Sequence, residues 1–367
     1  MSDPIRILSI DGGGIRGIIP AMVLQAILGE RKAKDVFHLI AGTSTGGIIA
    51  CGLAKPDPIP LNDILDLYVE HGGEIFRRAF LHKAPGADFV SPKYAPTELQ
   101  KYLKAQFGKT MLSEVRDVEL LVPSYAIHLP RVLANGDTRA PMFFRSWQAG
   151  GRLLDPPAQA ADYDFPLKSI AQATSAAPTY FPPATIHNKA GHSFSMIDGG
   201  VFANNPTISA MVEAYHLYHA TDFIVVSLGT GYLQAPIDPR AAEKWGELKW
   251  MLPILSVLMD GNSDTVCFET SELLGDAFYR LDIALGAKTL EGESVDENFD
   301  DATPENIKAL QDKARQLIDS EKDKIQSLKE LLRDDKTAVQ PMNALPPQGL
   351  LAAKARHAIE RAHLPPA

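Results

Sequence analysis

The stretch Ile40-Ala41-Gly42-Thr43-Ser44-Thr45-Gly46-Gly47 constrains this chain more than any other. The strand-like run Val36-Phe37-His38-Leu39-Ile40 leads into it, and the small apolar run Ile48-Ile49-Ala50-Cys51-Gly52-Leu53-Ala54 leads out. Its core reads G-x-S-x-G, with Gly42 and Gly46 flanking Ser44. A serine at the tip of a sharp strand-to-helix turn needs that spacing, because a Cβ at either glycine would crowd strand against helix. In such a turn the hydroxyl stands clear of the sheet, over the N-terminus of the following helix, where negative charge is favoured. The same residues also suit a glycine-rich turn with an incidental serine, and the pentapeptide alone does not separate the two.

The chain has 367 residues, 45% of them hydrophobic and 22% charged, enough for two domains or one large α/β domain. A formal net charge of −9 argues against nucleic acid as the main partner and against broad attraction to anionic lipid. Cys51 and Cys267 lie far apart without metal-ligand spacing, so neither a disulfide framework nor a metal centre is expected, and a reducing compartment fits. Met1-Ser2-Asp3-Pro4 has no basic region followed by a long apolar one, and no apolar run approaches the ~18 residues of a membrane span. The expectation is a soluble, cytoplasmic chain, at most peripheral at a membrane.

Ile5–Ile10 reads as a strand running into Asp11-Gly12-Gly13-Gly14-Ile15-Arg16-Gly17, followed by a helical pattern from Ile18 to about Leu28. Gly12, Gly14 and Gly17 match the G-x-G-x-x-G of dinucleotide sites, but that fingerprint expects an acidic residue near the end of the second strand. Glu30 precedes that strand and the Ser44 turn occupies its end, so no dinucleotide cofactor is expected. Acyl transfer at a serine suits the glycines better. It generates an oxyanion, which backbone N–H groups free of side-chain bulk can hold. Arg16 adds positive charge there, either for a phosphate group or as a salt bridge that anchors the loop.

Leu61–Phe76 and Ala95–Phe107 read as amphipathic helices. The cluster from Phe76 to Lys83 interleaves basic and aromatic residues, as an anionic head-group surface or an ordinary solvated helix end would. Glu119–His128 and Pro141–Arg145 read as strands, with Pro123 marking a bulge or an edge. The small residues of Ala171–Pro178 allow close packing of a helix, a structural role rather than a chemical one. Phe194–Asp198 alternates as a strand and ends on a carboxylate before Gly199-Gly200, with Asn205 and Pro206 opening a helix to about His219. Asp198 alone suits an Asx-turn as well as a base.

Phe223–Leu228 is a further strand, closing on Gly229-Thr230-Gly231. Trp245–Met259 reads as a helix that is interfacial, lid-like or buried. A strand near Phe278–Ile283, a charged helix over 304–333 and a last helix over 350–363 complete the chain. Strands alternating with helices predict a mainly parallel sheet covered on both faces, with chemistry in the loops after strand ends.

Together the Asp11–Gly17 loop, Gly42–Gly46 and Asp198-Gly199-Gly200, in that order and each at a strand exit, resemble the patatin-like phospholipase family. Ala171–Pro183 and Gly229–Gly231 extend the resemblance, which covers about residues 5–232. It implies a three-layer α/β/α sandwich with a mainly parallel central sheet. Residues 1–232 would be the catalytic core and 233–367 the mostly helical remainder of the same domain. It also implies a Ser–Asp dyad, in which Ser44 attacks an ester carbonyl and Asp198 takes up its proton. The N–H groups of Gly12, Gly13 and Gly14 would hold the oxyanion, and water would release the fatty acid from an acyl-enzyme. Arg16, Gly42, Gly46 and Gly199 would support the site. The implied substrates are membrane lipids or lysolipids, met through transient contact with a membrane surface, with no metal, cofactor or nucleic acid. An acyltransferase or thioesterase on the same scaffold is an alternative, as is a catalytically silent lipid- or nucleotide-binding module. A histidine triad would draw on His187, His192, His216 or His219. The family has none, and His216 and His219 fall on a predicted helix surface.

Overall fold

The computed structural model describes residues 3–76, 91–130, 138–154, 159–233, 237–286, 289, 292, 295–296 and 298–339. The basic-aromatic cluster beyond Phe76, the turn at 134–137 and the last predicted helix, 350–363, lie outside the described residues. The strands are β1 (Ile5–Ile10), β2 (Leu39–Gly42), β3 (Glu119–His128), β4 (Ala140–Arg145), β5 (Ala184–His187), β6 (Ser193–Asp198), β7 (Phe223–Leu228) and β8 (Phe278–Leu281). Helices of eight or more described residues are α1 (Ile18–Leu28), α2 (Thr45–Ala54), α3 (Leu61–Val69), α4 (Thr97–Phe107), α5 (Leu167–Thr174), α6 (Thr207–Tyr218), α7 (Glu247–Leu274), α8 (Pro304–Ser320) and α9 (Lys322–Leu331).

The strands form one sheet in the order β5-β6-β3-β2-β1-β7-β8, with β4 also paired to β3. The run β3-β2-β1-β7-β8 is parallel, and β4, β5 and β6 join in antiparallel sense at one end. The central strands show the period of two that a sheet covered on both faces requires. Leu8, Ile10, Ile40, Val226 and Leu228 point into the larger core with α1 to α5, α8 and α9. Ile5, Ile7, Leu39, Ala41, Phe223 and Val225 point the other way, into a smaller core with α6 and Trp147. Three layers result, helices on sheet on helices.

Beyond residue 232 the chain rejoins this body: β8 pairs in parallel with β7, and α8 packs on α1. Several local boundaries shift: the predicted Leu61–Phe76 helix stops at Val69, with a separate helical turn over Gly72–Ile75. Ala33–Val36 is a short helical turn, so β2 begins at Leu39, where pairing with β1 starts at Ile7. The predicted charged helix breaks at Glu321 into α8 and α9, and the predicted Trp245–Met259 helix runs on to Leu274 as α7.

The two edges of β3 are paired differently. β4 pairs with residues 121–126 without interruption and so fills one edge of that strand. The other edge is shared, by β2 in parallel at residues 119–121 and by β6 in antiparallel at 124–128. Strands of opposite sense on one edge run toward each other, so the C-terminal ends of β2 and β6 meet across residues 122–123. Pro123, which has no N–H to offer a ladder, falls in that break. The predicted edge or bulge is thus an interruption on one side of a central strand.

Candidate active site

Ser44 follows β2 and precedes the first turn of α2 with φ 54°, a left-handed conformation that costs a non-glycine residue energy. The surroundings hold it there. The Thr43 N–H donates to Ile10 O at 3.1 Å and the Thr43 hydroxyl to Ala203 O at 2.7 Å. A Cβ on Gly42 would overlap the Gly46 carbonyl, and one on Gly46 would overlap the Ile10 carbonyl, so glycine is required at both flanks.

Asp198 ends β6 on the far side of the break in β3. Its Oδ2 accepts the Ser44 hydroxyl at 2.6 Å and its Oδ1 accepts the Gly200 N–H at 2.7 Å. Both residues are buried, Ser44 at 7% and Asp198 at 3% relative exposure. Burial pushes the Asp198 carboxyl up from 3.8 to about 7, against the opposing pull of the Ser44 and Gly200 hydrogen bonds.

The C-terminal end of α5 plugs the gap between the two strand ends. The Thr174 hydroxyl donates to Pro123 O at 2.7 Å and accepts the Ser44 N–H at 2.9 Å. The backbone oxygens of Thr174 and Ala176 accept the Gly199 and Asp198 N–H groups, at 3.3 and 3.0 Å. The small residues there read from sequence as packing alone. The structure adds that Thr174 holds the backbone of both Ser44 and Gly199, a role that no local signal distinguishes from any other threonine in a small-residue helix.

The glycine loop lies against the same point. A Cβ on Gly12 would come within 3.2 Å of the Ser44 Cβ. The Gly12 N–H donates to Asn204 O at 3.1 Å, so it is occupied, whereas the Gly13 and Gly14 N–H groups have no acceptor among the described residues. Arg16 is buried and sets its guanidinium 4.1 Å from the centre of the Phe299 ring. The loop is braced from beyond the region of sequence resemblance. Arg280 on β8 donates to Asp11 Oδ2 at 2.7 Å, to Asp282 Oδ2 at 2.6 Å and to Ser227 Oγ at 2.9 Å. Burial pushes Asp11 up to about 6 even beside that guanidinium.

Ser44, Asp198 and Gly14 open onto a pocket walled by apolar side chains such as Ile48, Phe76, Phe181, Leu255 and Met259. No histidine lines it among the described residues. His187 is exposed on β5, His192 stands 3.4 Å from Asp162, and His216 and His219 lie at the C-terminal end of α6. Among the described residues no cluster of His, Cys, Asp and Glu is arranged to hold a metal ion, and no helix is long and apolar enough to cross a membrane. The site can present an activated hydroxyl, a carboxylate to take its proton and open N–H donors, beside a space that fits hydrocarbon.

Among curated proteins, Patatin-like protein 1 of Arabidopsis thaliana is 31% identical over 84% of this chain and 80% of its own length. Patatin-like protein 2 of the same plant is 32% identical over 83% and 81%. A protein named Probable inactive patatin-3-Kuras 1, of Solanum tuberosum, is 27% identical over 84% of each chain. The family model described as Patatin-like phospholipase matches residues 8–211, a span that holds the glycine loop, the Ser44 turn and Asp198. With that match over more than half its length, the chain belongs to the patatin-like phospholipase family.

Proposed function

We propose that this protein is a serine hydrolase of lipid acyl esters, working through Ser44 and Asp198. The observation that carries the reading is the 2.6 Å hydrogen bond from the Ser44 hydroxyl to a buried carboxylate at the base of an apolar pocket. Membership of a family described as phospholipases supports the lipid ester as substrate.

In this mechanism the fatty-acyl chain lies along the apolar wall and brings its ester carbonyl to Ser44. As Ser44 Oγ attacks, its proton passes to Asp198 Oδ2, and negative charge builds on the carbonyl oxygen. The Gly13 and Gly14 N–H groups receive that charge; Gly12, whose N–H is held by Asn204, serves by its closeness to Ser44 instead. Each such donor is worth about 3 kcal/mol of barrier, since it is already oriented and needs no reorganisation. The tetrahedral intermediate collapses, Asp198 returns its proton to the leaving alcohol, and an acyl-Ser44 remains. Water then attacks the acyl carbon, giving one proton to Asp198, and the fatty acid departs as Ser44 recovers its hydrogen. A carboxylate is a weak base for an alcohol, and burial narrows that gap by raising Asp198 toward neutrality.

Incubation with a fluorophosphonate probe and peptide mass spectrometry tests the nucleophile. The expected result is one adduct, on Ser44, absent in Ser44→Ala. An unlabelled Ser44 under conditions that label a control serine hydrolase would leave a silent binding module. Mass spectrometry of the products from a mixed lipid extract then tests the substrate, with free fatty acid expected from wild type alone. Dominant acyl transfer to an added alcohol at low concentration would make the protein an acyltransferase.

A further inference from the structure

Helix α7 presents two unlike faces. Leu255 and Met259 turn inward and line the pocket that holds Ser44. On its outer side stand Ile254, Val257, Leu258 and Phe268, at 42, 45, 53 and 66% relative exposure. At 100° per residue these four fall within one sector with Trp250, and Gly261 and Thr265 fill the positions between. Trp250 meets Trp245 edge to face, with ring centres 5.2 Å apart, at the start of this row. From Trp250 to Phe268 the row runs about 27 Å at 1.5 Å per residue. No charged residue interrupts it, while Asp264 and Glu269 border it.

We propose that this outer face of α7 is the surface on which the protein seats itself on a zwitterionic lipid layer. The inference rests on the lipid hydrolase reading above. A row of exposed large apolar side chains with an aromatic pair at one end is the composition of a helix lying in a lipid interface. The bordering carboxylates and a net charge of −9 disfavour an anionic surface and leave a neutral, choline-type one. The occupant follows from the site: α7 supplies Leu255 and Met259 to the pocket wall, so the lipid taken as substrate above is the partner this helix already meets on its inner side, and a second copy of the chain is left as an outcome of the test.

The test compares wild type with a Leu258→Glu/Phe268→Glu variant on two substrates, a soluble short-chain ester below its aggregation limit and phosphatidylcholine vesicles. Both changed residues are exposed and outside the pocket lining. Cleavage of the soluble ester should be unchanged, while vesicle co-sedimentation and vesicle hydrolysis fall at least tenfold. A Val257→Ser/Phe268→Ser variant should show the same split with smaller losses, guarding against a folding defect in the first. Equal vesicle binding by wild type and both variants would overturn the proposal. So would a wild-type dimer in sedimentation velocity that the variants dissolve. Wild type that binds vesicles through this face yet cleaves neither substrate would sustain the surface and defeat the hydrolase reading.

Discussion

Ser44 Oγ and Asp198 Oδ2 stand 2.6 Å apart although the two residues are 154 positions apart in the chain. They meet because β2 and β6 run head-on along one edge of β3 and stop on either side of residues 122–123. The end of α5 fills the gap between them and hydrogen-bonds the backbone on both sides. The site is therefore a product of strand direction, and its parts are separable by substitution.

Ser44→Ala should lower lipid hydrolysis by about 10⁴-fold or more, and Asp198→Asn by about 10²- to 10⁴-fold, since one removes the attacking atom and the other the proton acceptor. Fatty-acid release under saturating substrate checks both. Alanine at His187, His192, His216 or His219 should leave turnover within about twofold, because no charge is transferred through them. A loss in any one of these to the level of Ser44→Ala would replace the dyad with a triad.

The pH profile follows from Asp198. Its carboxyl must be ionised to act as a base, so kcat/KM should rise with pH through about 7. Stability should change in the opposite direction. The folded state keeps this proton up to about pH 7 while the unfolded chain releases it near 3.8, so the group's contribution falls as pH rises between those values. The slope is at most about 1.4 kcal/mol per pH unit. Asp198→Asn removes it, so the variant should melt above wild type at pH 8 and approach it near pH 4. Melting curves that stay parallel across this range would show that the carboxyl is not perturbed.

Thr174→Val keeps the volume of the side chain and deletes its hydroxyl. The Ser44 N–H then loses its acceptor and Pro123 O its donor, both in buried positions. The expected cost is about 1–3 kcal/mol in denaturant unfolding, together with a fall in kcat that exceeds any change in KM. Unchanged kcat would mean that the Thr43 hydrogen bonds to Ile10 and Ala203 hold the Ser44 backbone without Thr174.

Arg280→Met should cost about 3–5 kcal/mol, because the buried Asp11 and the half-buried Asp282 would lose their shared partner. Arg280→Lys should recover only part of this, as an ammonium lacks the planar fork that reaches Asp11, Asp282 and Ser227 together. Thermal unfolding at pH 8 reads both, and the ranking wild type, then lysine, then methionine is the result to look for.

The legible parts of this protein are those where a residue's neighbours in sequence are its neighbours in space. Gly42 reveals the Ser44 turn because the clash it avoids, with the Gly46 carbonyl, lies within the turn, whereas the clash Gly46 avoids, with the Ile10 carbonyl of β1, arises only once the sheet has formed. The period of two in β1, β2 and β7 reveals a sheet buried on both faces. Thr174, Asn204 and Arg280 were not legible as parts of the site. Each acts on a residue far along the chain, and threonine in a helix or arginine on a strand carries no mark of its partner.

By itself the sequence determined the local devices: the strained turn at Ser44, the glycine loop, a carboxylate at a strand end, and the alternation that makes a mainly parallel sheet. These depend on backbone sterics and side-chain period, which act over a few residues. The tertiary structure alone decided how they combine. It set β6 against β2 along β3, raised Asp198 by burial, gave the Gly12 N–H to Asn204 while leaving those of Gly13 and Gly14 without an acceptor among the described residues, and braced Asp11 from β8. Desolvation and hydrogen-bond partnership are set by what packs nearby in space, and that is settled only when distant segments of the chain come together.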